Sequence, residues 1–92
     1  MLRVKVVYDA PFSDAARLPE EIVGLDGATL GDLIRDLAQR HGPAFGGLVM
    51  DPRAGNTVAP GVTVLVNGRR PGLDFPLNDG DEVAFLRPVA GG

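Results

Sequence analysis

The chain has 92 residues, of which 45% are hydrophobic and 23% charged, and its net charge of −3 is typical of one small globular domain. It has no cysteine and one histidine, which excludes disulfides and thiol nucleophiles and disfavours a histidine-rich metal or catalytic site. The acidic balance argues against nucleic-acid binding. No apolar run approaches the roughly 18 residues that cross a bilayer, and no signal-peptide pattern opens the chain, so we expect a cytoplasmic protein without membrane contact.

The first part of the chain predicts a hairpin of two strands. Residues 2–8 alternate, with Leu2, Val4, Val6 and Tyr8 on one face, and residues 21–25 form a second apolar run. Between them, residues 9–19 hold turn formers without a clear period, which predicts a loop with at most one helical turn.

A helix follows over residues 30–41. Thr29 is a good N-cap, and Asp32 at the third helical position predicts a capping-box arrangement. An apolar stripe at helical spacing faces the core; it consists of Leu30, Leu33, Ile34, Leu37 and Ala38. Gly42 and Pro43 end the helix, with Gly42 expected in the left-handed conformation. His41 lies in the last turn, where we expect a structural role.

The second half predicts a long irregular connection over residues 44–60, whose first apolar residues plug the C-terminal end of the helix. A third strand spans residues 62–66 and is closed by the tight-turn pair Asn67–Gly68. Residues 69–74 are ambiguous, and Arg69–Arg70 fits an edge strand. A last strand covers residues 82–86, and Pro88 ends it because proline has no N–H for the ladder.

The order β-β-α-β-β predicts an α+β fold, with about four to five strands in a mixed sheet packed on one main helix. The first and last strands are the most apolar, so we place them side by side in the centre, which makes them parallel. This plan is β-grasp-like. On the opposite face Val7, Ala84 and Leu86 form either a docking surface or scattered surface residues. The acidic residues Asp79, Asp81 and Glu82 either steer a basic partner or belong to a solvated turn.

The chain ends in a short tail after the folded domain, which divides it into a domain of residues 1–87 and a tail of residues 88–92. Gly91 and Gly92 have no Cβ and can therefore enter a slot too narrow for any side chain. The extended reach from Pro88 is roughly 17 Å, enough to carry the terminal carboxylate into a buried site of a partner. The plain alternative is a frayed terminus.

Several segments together resemble the ubiquitin-like sulfur carriers. They are the turn Val66–Gly68, the run Leu77–Val83 and the ending Pro88–Gly92. The likeness covers nearly the whole chain and is greatest to MoaD, the small subunit of molybdopterin synthase, with ThiS and CysO nearby. It implies a ubiquitin-like β-grasp fold and a carrier protein with no bound cofactor that is not an enzyme by itself. Arg87 stands where the family usually has proline.

The resemblance also implies a chemistry at Gly92. An E1-like adenylyltransferase (MoeB/ThiF-like) would use ATP to adenylate the carboxylate, and a persulfide would convert it to a thiocarboxylate. A MoaE-like large subunit of molybdopterin synthase or a CysM-like synthase would accept the sulfur. By position, the resemblance assigns partner contacts to Val7, Arg70, Leu86, Arg87, Pro88, Val89 and Ala90. The alternatives are a CysO/ThiS-type carrier for cysteine, thiamin or another thio-metabolite, a ubiquitin-like modifier conjugated through Gly92, and a plain interaction domain.

Overall fold

The computed structural model describes residues 2–51 and 57–87. Its strands are β1 (Leu2–Tyr8), β2 (Glu20–Leu25), β3 (Met50–Asp51), β4 (Thr57–Val58), β5 (Thr63–Val66) and β6 (Glu82–Leu86). Its helices are α1 (Phe12–Ala16), α2 (Leu30–His41) and α3 (Pro43–Val49). None of the helices in the described ranges is long and apolar enough to cross a membrane.

A four-stranded mixed sheet has the order β2-β1-β6-β5. The central strands β1 and β6 are parallel, whereas β2 pairs with β1 and β5 pairs with β6 in antiparallel fashion. The short strands β3 and β4 form a separate antiparallel pair. The α+β prediction, with the first and last strands adjacent and parallel, is therefore confirmed.

The core lies between α2 and the inner face of the sheet. The alternation of β1 and β6 places Val4, Val6, Val83 and Phe85 inside, where all are fully buried. The inward stripe of α2 packs on them; its buried members are Leu30, Gly31, Leu33, Ile34 and Leu37. Ala38, expected in this stripe, is only half-buried.

Two short helices occupy segments that were predicted as connections, and the first of them agrees with the helical turn allowed within residues 9–19. Helix α1 buries Phe12 and Ala16, and helix α3 buries Phe45 and Val49. The centroids of the Phe12 and Phe45 rings lie 5.9 Å and 5.7 Å from that of Phe85. The plugging role of the first apolar residues after α2 is thus confirmed. The irregular backbone predicted for residues 44–60 is wrong where this segment forms α3, β3 and β4. Both segments are too short to show a helical period in the sequence. Each helix is stabilised by tertiary burial of its aromatic residue and not by a local pattern.

Gly42 connects α2 directly to α3. Its φ of 92° is positive, as expected, but its ψ of −179° lies outside the left-handed helical region, so the predicted conformation is wrong. Glycine is still required there, because side-chain-bearing residues rarely adopt this combination of angles. Pro43 starts the next helix at its first position, where the missing N–H costs nothing.

The start of α2 is held both by its cap and by the segment before β6. Thr29 Oγ1 accepts from Asp32 N at 3.2 Å, and Asp32 Oδ2 accepts from Thr29 N at 3.1 Å, which completes the predicted capping box. The next two free amides are also satisfied: Leu30 N donates to Phe75 O at 3.0 Å and Gly31 N donates to Leu73 O at 2.8 Å.

Truncation of Leu37 to alanine is expected to destabilise the domain by about 2–5 kcal/mol, because this fully buried side chain packs at the centre of the helix–sheet interface. Urea unfolding measures the effect. Gln39→Ala is the matched control on the exposed side of the same helix and should change the free energy of unfolding by less than about 0.5 kcal/mol. A similar small effect for both variants would contradict the assigned core.

The capping carboxylate predicts a pH dependence of stability. The pKa of Asp32 is lowered from 3.8 to about 2, mainly because the amides of Ala28 and Thr29 donate to the carboxylate. Since the folded pKa lies below the unfolded one, this contribution is present above about pH 3.8 and is lost as the pH falls through about 2. Between pH 4 and pH 2, the midpoint of thermal unfolding should therefore fall less for Asp32→Asn than for the native protein. Equal slopes for both proteins would contradict this assignment.

Candidate functional site

The candidate site is the outer face of the sheet, on the side opposite α2. Strand register assigns its residues, because directly paired residues share a face. Val7 pairs with Ala84, and Ala84 pairs in turn with Leu65 on the next strand. Leu86 lies two residues further along β6, beside Thr63. Val7, Leu65, Ala84 and Leu86 are all half-buried and form what we call the outer patch.

Val7, Leu86 and Arg70, which the resemblance assigns as partner contacts, lie on this face, and their role in binding stays a prediction. Arg70 Nη2 donates to Thr63 Oγ1 at 2.9 Å, and Thr63 pairs with Leu86. The side chain of Arg70 is therefore held at the β5 side of the outer patch. Arg87 follows Leu86 and is exposed. The expected edge strand at Arg69–Arg70 is reduced to a single bridge between Val66 and Arg69, because the tight turn at Asn67–Gly68 immediately reverses the chain.

Leu65 completes the outer patch but was not predicted from the sequence. The signal was present, since Leu65 lies out of phase with its buried neighbours Val64 and Val66. Leu65 lies beside Ala84 because of the register between β5 and β6, and this register could not be predicted from the sequence.

Charged residues on β1, β2 and β6 border the outer patch; Glu82 was named from the sequence, whereas Lys5 and Glu20 were missed. Lys5 Nζ lies 3.2 Å from Glu20 Oε2 and 3.9 Å from Glu82 Oε1. All three side chains are about half exposed, so these pairs stabilise little and remain available to a partner. A docking protein therefore meets an apolar centre with a charged rim, the usual anatomy of a protein interface.

The acidic turn before β6 is mainly structural. The carboxylate of Asp81 is buried, and it accepts from Asn67 Nδ2 at 2.9 Å and from Asn78 N at 2.8 Å. Asp79 Oδ1 accepts from Arg3 N at 2.9 Å. The sequence left two interpretations for this cluster, steering of a basic partner or a solvated turn. Neither describes Asp81, because its buried carboxylate accepts hydrogen bonds within the turn.

His41 lies in a half-buried polar cluster with Tyr8 and Glu21. Glu21 Oε2 accepts from Tyr8 Oη at 2.6 Å and lies 2.5 Å from His41 Nε2. Burial, followed by the hydrogen bond and charge of Glu21, raises the pKa of the Tyr8 hydroxyl. The three groups satisfy one another and join β1, β2 and α2, which agrees with a structural role for the histidine. The described residues contain no cluster of His, Asp or Glu that could hold a metal ion.

The predicted reactive end lies outside the described residues. Gly91 and Gly92, together with the expected partner contacts Pro88, Val89 and Ala90, belong to the part of the chain after residue 87. The boundary between domain and tail also stays a prediction. The structure nevertheless defines where this segment begins, because Leu86 and Arg87 lie at the edge of the outer patch.

A four-stranded mixed sheet with a central parallel pair, covered on one face by a capped helix, defines a small ubiquitin-like protein of the β-grasp class. The chain belongs to the ThiS family, whose model matches residues 6–92. As a member of this family of ubiquitin-like carriers and modifiers, it is not an enzyme by itself.

Named relatives agree with this assignment. Small archaeal modifier protein 3 of Haloferax volcanii is 41% identical over 71 residues, which is 73% of each chain. The crystal structure of SAMP1 from the same organism has a TM-score of 0.82 at 30% identity and covers 98% of this chain and 99% of its own. A putative molybdopterin converting factor, subunit 1, from Pyrococcus furiosus has a TM-score of 0.75 at 35% identity, with 97% and 100% covered.

One similar structure also contains a protein partner. It is the BexX/CysO complex of Amycolatopsis orientalis, with a TM-score of 0.73, 28% identity, and 97% of this chain and 99% of that chain covered. That relative was therefore solved in a complex with another protein.

Proposed function

We propose that the chain is a sulfur carrier whose Gly92 carboxylate is converted to a thiocarboxylate. The observation that carries the proposal is the position of the outer patch at the end of β6. A protein docked on Val7 and Leu86 lies directly beside Arg87, so it can take up the following five residues, which reach roughly 17 Å when extended. The folded domain supplies recognition, and the terminal carboxylate supplies the chemistry.

The carboxylate needs activation because it is a poor electrophile. An E1-like adenylyltransferase would join the Gly92 carboxylate to AMP from ATP and release pyrophosphate. The outer sulfur of a persulfide then attacks the carbonyl, and AMP leaves. A thiol reduces the resulting acyl disulfide and releases the thiocarboxylate. ATP is thus a substrate of the activating enzyme, and this chain needs no cofactor of its own; with no cysteine, it holds the transferred sulfur only at its terminus.

Intact-mass spectrometry tests the proposal. The protein is incubated with ATP, a sulfur source and E1-like enzymes of the MoeB and ThiF type, and replacement of oxygen by sulfur should raise its mass by about 16 Da. Omission of ATP is the control and should abolish the gain. If none of the activating enzymes produces the gain with ATP present, the proposal is wrong.

For the sulfur acceptor, we propose the large subunit of a molybdopterin synthase. The proposal is supported by the likeness to a protein named as a molybdopterin converting factor subunit, at 35% identity. The alternative acceptors are a CysM-like synthase and the enzymes of thiamin or other thio-metabolite synthesis. Single-turnover transfer from the thiocarboxylate form to each purified acceptor distinguishes them, because only the cognate enzyme should consume the added sulfur.

A second function, conjugation of Gly92 to lysines of target proteins, is supported by the modifier name of the relative that is 41% identical. The acyl adenylate suits both functions, since an amine can attack the same carbonyl. Lys5 is the only lysine, so any chain of modifiers would be limited to links at Lys5 or at the N-terminus. Higher-mass conjugates in extracts that disappear when Gly92 is deleted would support this function; their absence under sulfur-rich and sulfur-poor growth would oppose it.

A further inference from the structure

Strand β2 forms one edge of the main sheet and lies at the end farthest from β5. It has six residues and no proline, and its middle side chain, Ile22, is 65% exposed, the most exposed large hydrophobic residue in the described chain. Free edge strands of this kind offer unpaired backbone groups to another strand, and natural proteins usually protect them with proline, lysine or a bulge. Residues 20–25 contain no proline, lysine or bulge, and their charged side chains, Glu20 and Glu21, lie at one end of the strand.

The register shows which groups of β2 are available. Tyr8 N donates to Pro19 O at 2.8 Å, so Tyr8 and Pro19 are a hydrogen-bonded pair. Because such pairs alternate along antiparallel strands, Glu21, Val23 and Leu25 also point their backbone groups towards β1. Those of Glu20, Ile22 and Gly24 therefore point outward, away from the sheet.

We propose that β2 pairs with β2 of a second copy of this chain, in antiparallel register about a two-fold axis at Ile22. In this register Ile22 opposes Ile22, and Glu20 opposes Gly24, so each outward residue exchanges hydrogen bonds with an outward residue of the other copy. The two outer faces lie on the same side of one continuous sheet. The exposed Ile22 side chains meet at the centre, where pairing removes them from water.

The charges favour this register. Gly24 pairs with Arg3 of its own β1, and the side chain of Arg3 makes no ion pair within the described residues. Because Gly24 has no side chain, Glu20 of the second copy, lying opposite Gly24, is within reach of Arg3. Glu20 is already paired with Lys5 of its own chain, so in each half of the interface its carboxylate lies between two cations, and the two glutamates do not face each other.

The dimer leaves the proposed carrier site free. Leu65, Ala84 and Leu86 of the outer patch lie on β5 and β6, at least two strands away from β2, and Val7 on β1 is the member nearest the seam, beside Glu20. Both copies therefore present their own chain ends on the same face of the extended sheet. The interface is one strand wide and belongs to the weak class below about 1,200 Å², so we expect association only at high protein concentration.

Cross-linking tests the register directly, because the native chain has no cysteine. In the proposed pair the two Cα atoms of residue 22 are about 5.5 Å apart, a separation that a disulfide spans. Ile22→Cys should therefore form a disulfide dimer at least about tenfold faster than Asp14→Cys, whose cysteine would be exposed on α1 away from the seam. Equal rates for the two variants would overturn the proposal.

Sedimentation equilibrium tests the unmodified chain. Its apparent mass should rise above 9.6 kDa between about 10 μM and about 1 mM. Ile22→Lys should weaken association at least about tenfold, because an edge lysine opposes pairing, whereas Phe75→Lys, at the other exposed large hydrophobic residue, should leave it unchanged. A chain that stays monomeric throughout this range, as expected of an edge that pairs only with a strand of another protein, would overturn the proposal.

Discussion

Deletion of Gly92 is expected to abolish the ATP-dependent gain of mass while leaving the fold intact. The deletion withdraws the terminal carboxylate by about 3.3 Å from the position that the activating enzyme attacks. Because a displacement of about 1 Å at a reacting centre can cost roughly a hundredfold in rate, the shortened chain should be inactive even though it still ends in glycine. Gly92→Ala keeps the length but adds a Cβ in the narrow slot, and it should fail for this steric reason.

Two measurements separate this result from a folding defect. The free energy of unfolding of both variants should stay within about 0.5 kcal/mol of the native value, because the change lies beyond β6. Asp14→Ala, an exposed substitution on α1, is the matched control and should keep the full gain of mass. Normal thiocarboxylate formation by the chain without Gly92 would contradict the proposed function.

Val7→Asp is expected to weaken binding to the activating enzyme at least about tenfold, which corresponds to about 1.4 kcal/mol. Val7 lies in the outer patch between Glu20 and Ala84. A carboxylate there must lose water when the partner covers it, and its nearest neighbour across the strand pair is the acidic side chain of Glu20.

The same variant should be only mildly destabilised, by about 1 kcal/mol, since aspartate is a poor strand residue on a half-buried face. Ala44→Asp is the matched control, with the same new charge at an exposed position near the start of α3. It should bind normally in titration calorimetry. Unchanged affinity of the Val7 variant would remove the outer patch from the interface and leave recognition to the tail alone.

Much of the fold followed from local patterns. The alternation in β1 and β6 predicted both the core residues and the spare face that holds Val7 and Leu86. The capping pair Thr29 and Asp32 placed the start of α2 correctly. Helices α1 and α3 could not be predicted in this way, because each is short and is stabilised by burying one phenylalanine against distant strands.

The candidate site likewise has a part that could be predicted from the sequence and a part that could not. The tail and its glycines are features of the sequence, and the chemistry proposed for them depends on the family. Three other features depend on the register between segments far apart in the chain. They are the addition of Leu65 to the outer patch, the pairing of Lys5 with Glu20 and Glu82, and the burial of Asp81.

The sequence by itself determined the order of the four strands of the main sheet and α2, the capped start of α2 and the faces of the central strands, because periodicity and capping act over a few neighbouring residues. Only the tertiary structure decided which half-buried residues join into one patch and which strand is left with an open edge. Both features depend on the pairing of strands that are far apart in the chain. This pairing is set by the packing of the whole chain and cannot be predicted from any single segment.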